Sequence, residues 1–491
     1  MFEKITPEKA GVRSSSVKRL LRYLEKNGIV MHSLLLMKGE ALFGEYYWKP
    51  FDADFCHRMY SQTKSYVSIA IGLLEEDGKL ELDAPIASYF PEKTDRKLPE
   101  YLEKQTVRDM LTMCTACHSP YWFSTSDPDR THEYLTSSTV IRPSGTIWEY
   151  DSPGSQVLSS LVEKLSGKTL FDYLYDKIFC HLGTFSTASI LKTRNGDSWG
   201  DSALLCTPRD MISFARFVMN YGDWHGKRLM NENYLRLATT KQADNHRSPF
   251  GKHSEQGYGY QIWCTKNGFA FNGMGGQFTI CVPELDTIFV CTGDNQGYDG
   301  FASLVFAAFD EFIVSEMSTS PLPENENDYK ELCEYASTLT LAVADGKRSS
   351  EFEKELNGKL FICNQNKAGF ERFSFSFDGN GKGVLRYVNA QGEKELHFGM
   401  TENVFTKFPQ LGYSDDRGGV VTDNGFTYDC AVSAGWLEEK KLLVRVQVID
   451  RYFGNLGMMF AFKENEATVL MVKTAENFFN EYQGEFTARA E

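Results

Sequence analysis

The hydrophobic pattern changes period across one short stretch, Ser318-Thr319-Ser320-Pro321-Leu322-Pro323-Glu324-Asn325-Glu326-Asn327. That break constrains the fold more than any other feature, because its composition is that of a connector and the residues on its two sides obey different rules. Beyond it, Phe373, Phe375 and Phe377 alternate up to Asp378-Gly379-Asn380-Gly381, a hairpin signal. Val444, Val446 and Val448 alternate again, and runs near 457–463 and 467–473 flank Lys463-Glu464-Asn465-Glu466. Period two with turn signals predicts an antiparallel β domain over 330–491, a small barrel or curved sheet. A chain of 491 residues is too long for one ordinary domain. The expected organisation is a domain over 1–317, a linker at 318–329 and the β domain over 330–491.

Before the break, helix and strand periods mix. A helix is expected over 13–28, then two strands, Ser33 to Met37 and Ala41 to Tyr47, turned at Lys38-Gly39-Glu40. The stretch from about 84 to 200 is helical, and a further helix follows Thr207-Pro208. Strands return at 257–264, 268–272, 277–283 and 287–292, with a closing helix over 300–316. This predicts an antiparallel sheet flanked by helices.

The candidate chemistry sits at Ser61-Gln62-Thr63-Lys64, directly ahead of the apolar run Tyr66 to Leu74, which Asp77-Gly78 stops. If that run is a helix, Ser61 lies at its first turn and Lys64 one turn on, on the same face. A serine hydroxyl needs an adjacent base, and a helix N-terminus favours the anion formed when a carbonyl is attacked. The same spacing recurs at Ser15–Lys18, in a polar N-terminal segment, and at Ser189–Lys192, with no long apolar helix behind it, so context carries the signal. Two further segments follow in order: Trp148-Glu149-Tyr150-Asp151-Ser152 ahead of a second helix, and Phe271-Asn272-Gly273-Met274-Gly275-Gly276-Gln277-Phe278 leading into a strand.

These three segments, in this order, resemble the motifs of the serine β-lactamase and penicillin-binding-protein superfamily, closest to its class C-like esterases. Met31–Leu36, Gly78–Asp83 and Gly257–Tyr260 look like further signatures of that family, and the likeness spans roughly residues 5–315. It implies an α/β (α+β) sandwich beside an all-α subdomain, with the site between them. Some relatives carry a lipocalin-like C-terminal domain, and the β domain here resembles that arrangement. By the same resemblance Ser61 is the nucleophile, Lys64 and Tyr150 share the role of base, and Ser152 bonds Lys64 or the substrate. The oxyanion hole pairs the N–H of Ser61 with that of Gln277, where Gly275 and Gly276 let substrate approach the strand edge.

The third segment departs from the family pattern, since Met274 stands where a cation is usual, and methionine cannot bind a carboxylate. The expected function is a serine hydrolase of esterase or amidase type, acting on a small-molecule ester or amide. A β-lactamase or D-amino-acid peptidase is one alternative, and a non-catalytic penicillin-recognition-type binding module is another.

Composition narrows the partners. A formal net charge of −14 argues against nucleic acid and anionic membranes. The first residues carry no apolar stretch of signal length, and no run has transmembrane length, so the expectation is a cytoplasmic protein. The eleven cysteines, Cys281, Cys291 and Cys363 among them, read as buried free thiols. No cofactor or metal is expected. Cys114-Thr115-Ala116-Cys117-His118 matches a haem-attachment spelling but reads as a helix-to-loop element; Gly167-Lys168-Thr169 lacks the earlier glycine of a phosphate loop; Trp436 and His397 read as core or surface residues. The aromatic loop Ser119–Ser124 is expected either to wall a pocket or to cover the core. The oligomeric state is left open, a homo-oligomer included.

Overall fold

The computed structural model describes residues 2–94, 96–120, 126–246, 248–414, 425–476 and 478–491. The chain divides into two compact units, one over Met1–Thr340 and one over the described residues from Leu341 to Glu491.

In the first unit a seven-stranded sheet joins the two ends of the segment. Strands Met31–Lys38 and Ala41–Tyr47 form a hairpin, and Met31–Lys38 pairs antiparallel with Thr287–Gly293, which continues through Gln277–Val282 and Gly268–Gly273 to Trp263–Thr265. A two-residue strand, Glu3–Lys4, adds in parallel at the outer edge, so the sheet is mixed at that one position. The segment expected as a strand over 257–264 forms only isolated bridges before Trp263, because Gly257 adopts φ 115 and Gln261 φ 56, which break the extended run.

Alternation along the central strands sends side chains to two different cores. Leu34, Leu36, Phe289 and Cys291 face helices Ser14–Lys26 and Phe301–Phe309. Leu35, Met37, Ile288 and Val290 face Thr63–Glu76 and Pro208–Met219. A strand buried on both faces reads as a continuous apolar run, as Leu34-Leu35-Leu36-Met37 does. Each such side chain contributes roughly 1.5–3 kcal/mol by leaving water.

Helix Thr63–Glu76 is buried from Thr63 to Leu74 without interruption. A helix covered all round needs partners all round. Helix Ser152–Ser166 supplies one side, with Asp151 capping its N-terminus through the Gly154 N–H and Gly167, φ 70, ending it. Between the sheet's two halves lie these helices and several short ones, which make up the helical subdomain that the family resemblance implies.

Ser318 and Leu322 donate backbone hydrogen bonds to Gly11 and Glu8, and helix Glu326–Ala336 then packs on Ser14–Lys26 through Leu332. The β domain expected to begin at 330 therefore starts after this helix. Helix formation there follows from Asn325, which caps the Asp328 N–H.

The second unit is a ten-stranded sheet running from Leu360–Cys363 to Gly484–Ala490. Among the described residues all neighbours are antiparallel except one pair: Gly392–Met400 meets Gly425–Glu438 in parallel at Gly399–Ser433 and Met400–Ala434, and this contact closes the barrel. The predicted hairpin at 378–381 joins Arg372–Phe377 to Lys382–Asn389. Inward-facing Phe361, Phe373, Phe375, Phe398, Phe460 and Trp436 fill the interior. Trp436 donates its indole N–H to Glu353, while His397 is exposed.

Candidate active site

The turn that presents Ser61 is strained and heavily braced. Tyr60 adopts φ 48, a left-handed conformation unusual for an aromatic residue and costing on the order of 1–3 kcal/mol. The Arg58 guanidinium lies over the Tyr60 ring at 4.3 Å and over Trp199 at 4.5 Å, while its Nε and Nη2 donate to the carbonyl and hydroxyl of Ser202. Thr63 Oγ1 donates to the Tyr60 carbonyl and accepts from the Leu204 N–H, and Met59 N–H donates to the Leu204 carbonyl. Ser61 thus sits in a short 3₁₀ turn, Tyr60–Gln62, that runs into helix Thr63–Glu76.

The helix brings Lys64 onto Ser61. Lys64 Nζ lies 3.0 Å from Ser61 Oγ and 2.6 Å from the Asp201 carbonyl oxygen, to which it donates. Lys64 is 1 % exposed, so this amine works in a low-dielectric setting. The Asp201 carboxylate stands 4.0 Å from the same amine and 3.7 Å from Arg130 Nη1. Arg58, Lys64 and Arg130 are all buried within reach of Trp199 or Asp201. Gln156 fixes the loop that carries Asp201, accepting from the Gly200 N–H and donating to the Ser198 carbonyl.

Tyr150 meets the lysine with its ring, the Lys64 amine lying 5.2 Å from the ring centroid. Among the described residues its hydroxyl makes no hydrogen bond, and neither does that of Ser152, the first residue of helix Ser152–Ser166. Asp151, between them, is the anchored member: its carboxylate accepts from Ser119, Tyr134 and the Gly154 N–H, and burial pushes its pKa up.

The third segment reaches the same place through close backbone packing. A β-carbon on Gly273 would lie 2.2 Å from the Met59 carbonyl oxygen, so only glycine lets this strand end approach the Ser61 turn. Thr279 Oγ1 donates to Gln62 Oε1, tying the next strand to that turn. Gly275 and Gly276, at φ 81 and 110, fold the connection back so that Gly273 pairs with Gln277. The Gln277 side chain is spent on structure, donating to the Met274 and Gly293 carbonyls and accepting from the Gly293 N–H. Met274 is 40 % exposed.

Comparison with known proteins places the chain in a family. The family model described as Beta-lactamase covers residues 19–297, more than half of the chain. The chain belongs to the beta-lactamase family. Over 309 residues it is 24 % identical to 6-aminohexanoate-dimer hydrolase of Paenarthrobacter ureafaciens, a match covering 58 % of this chain and 78 % of that protein. A penicillin-binding protein homologue from Caulobacter crescentus shares the fold, with a TM-score of 0.51 at 15 % identity over 62 % of this chain and 98 % of that one. This beta-lactamase-family chain is a serine hydrolase with a closed C-terminal barrel.

The sequence points to Ser61, Lys64, Tyr150 and the Met274–Gln277 segment, and all of them lie around this turn. It does not point to Arg58, Arg130, Trp199 or Asp201. Asp201 is 137 positions from Lys64 and bonds it through a backbone carbonyl, which no residue type advertises. The aromatic loop Ser119–Ser124 falls largely outside the described residues. A 480 Å³ cleft lined by Phe2, Lys4, Glu40, Leu182, Arg209 and Trp224 shares no residue with the site and has no part in this chemistry. No helix among the described residues is long and apolar enough to cross a membrane. All eleven cysteines are free and seven, Cys281 and Cys291 among them, are buried as expected, whereas Cys56 and Cys363 are half-buried and Cys180 and Cys333 are exposed on helices.

Proposed function

We propose that the protein hydrolyses a small ester or amide through an acyl-enzyme on Ser61. The observation that carries this reading is the buried Lys64 amine, 3.0 Å from Ser61 Oγ and also held by the Asp201 carbonyl. Lys64 Nζ accepts the hydroxyl proton along that line while still donating to the Asp201 carbonyl, so the nucleophile and its base are already aligned. Ser61 Oγ then bonds to the substrate carbonyl carbon, and the N–H groups of Ser61 and Gln277 receive the oxyanion. The proton on Lys64 passes to the leaving alcohol or amine, and water releases the acid. Lys64 is the better-placed base, because the Tyr150 hydroxyl has no hydrogen bond to either partner. Tyr150 contributes the ring that covers the amine.

Exposed Met274 supports substrates without a carboxylate at that position, and so an esterase or amidase in preference to a β-lactamase or D-amino-acid peptidase. The likeness to a known hydrolase supports turnover over mere ligand capture. Intact mass after treatment with a fluorophosphonate probe tests the reading. One adduct on wild type, absent from Ser61→Ala, is the expected result; an unlabelled, folded wild type would sink it.

A further inference from the structure

The surface that continues outward from Lys64 is aromatic. The Tyr150 ring, whose centroid is 5.2 Å from the lysine amine, lies nearly parallel to Trp263 at 5.8 Å. Phe250 meets both edge-on, at 5.1 Å from Tyr150 and 5.7 Å from Trp263. Trp148 and Tyr258 pack against Trp263 from behind. Tyr258 and Trp263 are buried, but Phe250 is 48 % exposed, which is unusual for a phenylalanine already embedded in an aromatic cluster.

The scaffold behind these rings is fixed. Tyr258 and Ala243 exchange backbone hydrogen bonds at 3.0 and 2.9 Å. The Asn245 side chain ties the intervening loop by donating to the Ser254 carbonyl and accepting from the Gly257 N–H, each at 2.7 Å. Ser254 Oγ reaches Ser248 Oγ at 2.7 Å. Phe250 is therefore held out on a closed loop and does not fold back into the core.

We propose that Tyr150, Phe250 and Trp263 form a subsite for an uncharged aliphatic or aromatic group next to the scissile bond, with Phe250 as the specificity-determining ring. This rests on the reading that Ser61 is the nucleophile, which places the scissile carbonyl beside Lys64. A cationic group on this wall would sit beside the Lys64 amine, which carries the Ser61 proton once attack begins, and the two charges would repel. A carboxylate would face the negative side of the ring quadrupoles. An apolar chain meets neither obstacle and gains by covering Phe250.

Binding to Ser61→Ala, which holds substrate analogues without turning them over, tests the subsite independently of turnover. The probes are N-propyl-, N-butyl- and N-hexylacetamide, titrated by calorimetry and by tryptophan fluorescence, with N-acetyl-6-aminohexanoate as the carboxylate-ended control. Affinity is expected to rise roughly threefold to fourfold per added methylene. Adding Phe250→Ala should at least halve that gradient, and Phe250→Leu, which keeps an apolar side chain, should fall between. A flat series, an unchanged gradient in Phe250→Ala, or tighter binding of the carboxylate-ended probe would overturn the proposal. If wild type takes no fluorophosphonate while the gradient persists, the nucleophile reading fails and the subsite stands. Labelling without a gradient keeps Ser61 as the nucleophile and removes the subsite.

Discussion

The two units bury polar groups in opposite ways. Beneath Ser61 the first unit buries three basic side chains: Lys64 and Arg130 lie 4.0 and 3.7 Å from the Asp201 carboxylate, and Arg58 lies over Trp199. The barrel's buried polar cluster is built from uncharged groups and ends on one half-buried carboxylate: the Tyr387 and Tyr482 hydroxyls meet at 2.7 Å, Tyr482 and Asn389 both donate to Gln410, and Gln410 donates to Glu481. Around it are stacked rings such as Phe361 on Phe373 and Phe370 on Tyr387. Burying a charge costs several kcal/mol even when it is paired, whereas a satisfied neutral network costs little. A core selected only for stability resembles the barrel. The arrangement around Ser61, with its left-handed Tyr60, gives up stability, and such losses are concentrated where chemistry is done.

The comparison breaks most visibly at Lys64. Lys64→Met should lower kcat/KM for a reactive ester about 10²–10⁴-fold with the fold intact by circular dichroism; an active variant would mean that the buried amine is structural. Next come two truncations, one in each unit. Asp201→Ala strips the carboxylate from Arg130 and Lys64 and should cost roughly 3–5 kcal/mol in denaturant unfolding, with a loss of turnover. Trp436→Ala in the barrel should cost a similar ~3–5 kcal/mol by leaving a cavity and removing one of the hydrogen bonds to Glu353, yet leave kcat unchanged. Equal losses of activity in the two variants would erase the distinction between the regions.

A third test uses pH. His57 Nδ1 lies 3.0 Å from the Arg58 carbonyl, which only accepts, so this nitrogen carries the proton and Nε2 accepts from His32 Nδ1 at 2.8 Å. Both rings are neutral and buried; desolvation lowers His57 to about 3 and holds His32 well below its ordinary value of 6.5. Below pH 6.5 the unfolded chain takes up protons at these rings that the folded chain refuses until the pH nears 3. Stability from this source is therefore full above pH 6.5 and falls as pH drops, by roughly 1.4 kcal/mol per pH unit for each ring. From pH 6.5 to 5.5, where the unfolded ring goes from half to mostly protonated, wild type should lose about 1 kcal/mol more stability than His57→Gln in denaturant unfolding. The smallest effect is expected from Met274→Lys, which should move stability by less than about 0.5 kcal/mol. It should raise kcat/KM several-fold for carboxylate-bearing substrates relative to neutral ones, and no change in that ratio would place Met274 away from the bound substrate.

Much of this molecule is legible in the order of its residues. The period-two pattern after residue 360 and the apolar run behind Ser61 encode barrel strands and a buried helix, since local periodicity reports which faces meet a core. Boundaries are less legible: helix Glu326–Ala336 begins inside a stretch whose composition reads as linker, and its packing through Leu332 is what stabilises it. The family resemblance predicts Tyr150 as a base shared with Lys64 and Ser152 as a hydrogen-bonding partner of Lys64 or the substrate. Spacing does not encode side-chain direction, and in the structure the Lys64 amine lies 5.2 Å from the Tyr150 ring centroid with no hydrogen bond to its hydroxyl among the described residues.

The sequence alone determined the order of the three motifs, the placement of Ser61 and Lys64 on one helix face, and the absence of a cation at 274, because each is a local property of residue type and register. Tertiary structure decided which long-range groups complete the site. The Asp201 carbonyl on Lys64, the Arg58 guanidinium over Trp199 and the Phe250 ring beside Tyr150 each join residues a hundred or more positions apart. Such contacts exist only when the sheet and the helical insertion have closed on one another, and no pattern within a single segment records that closure.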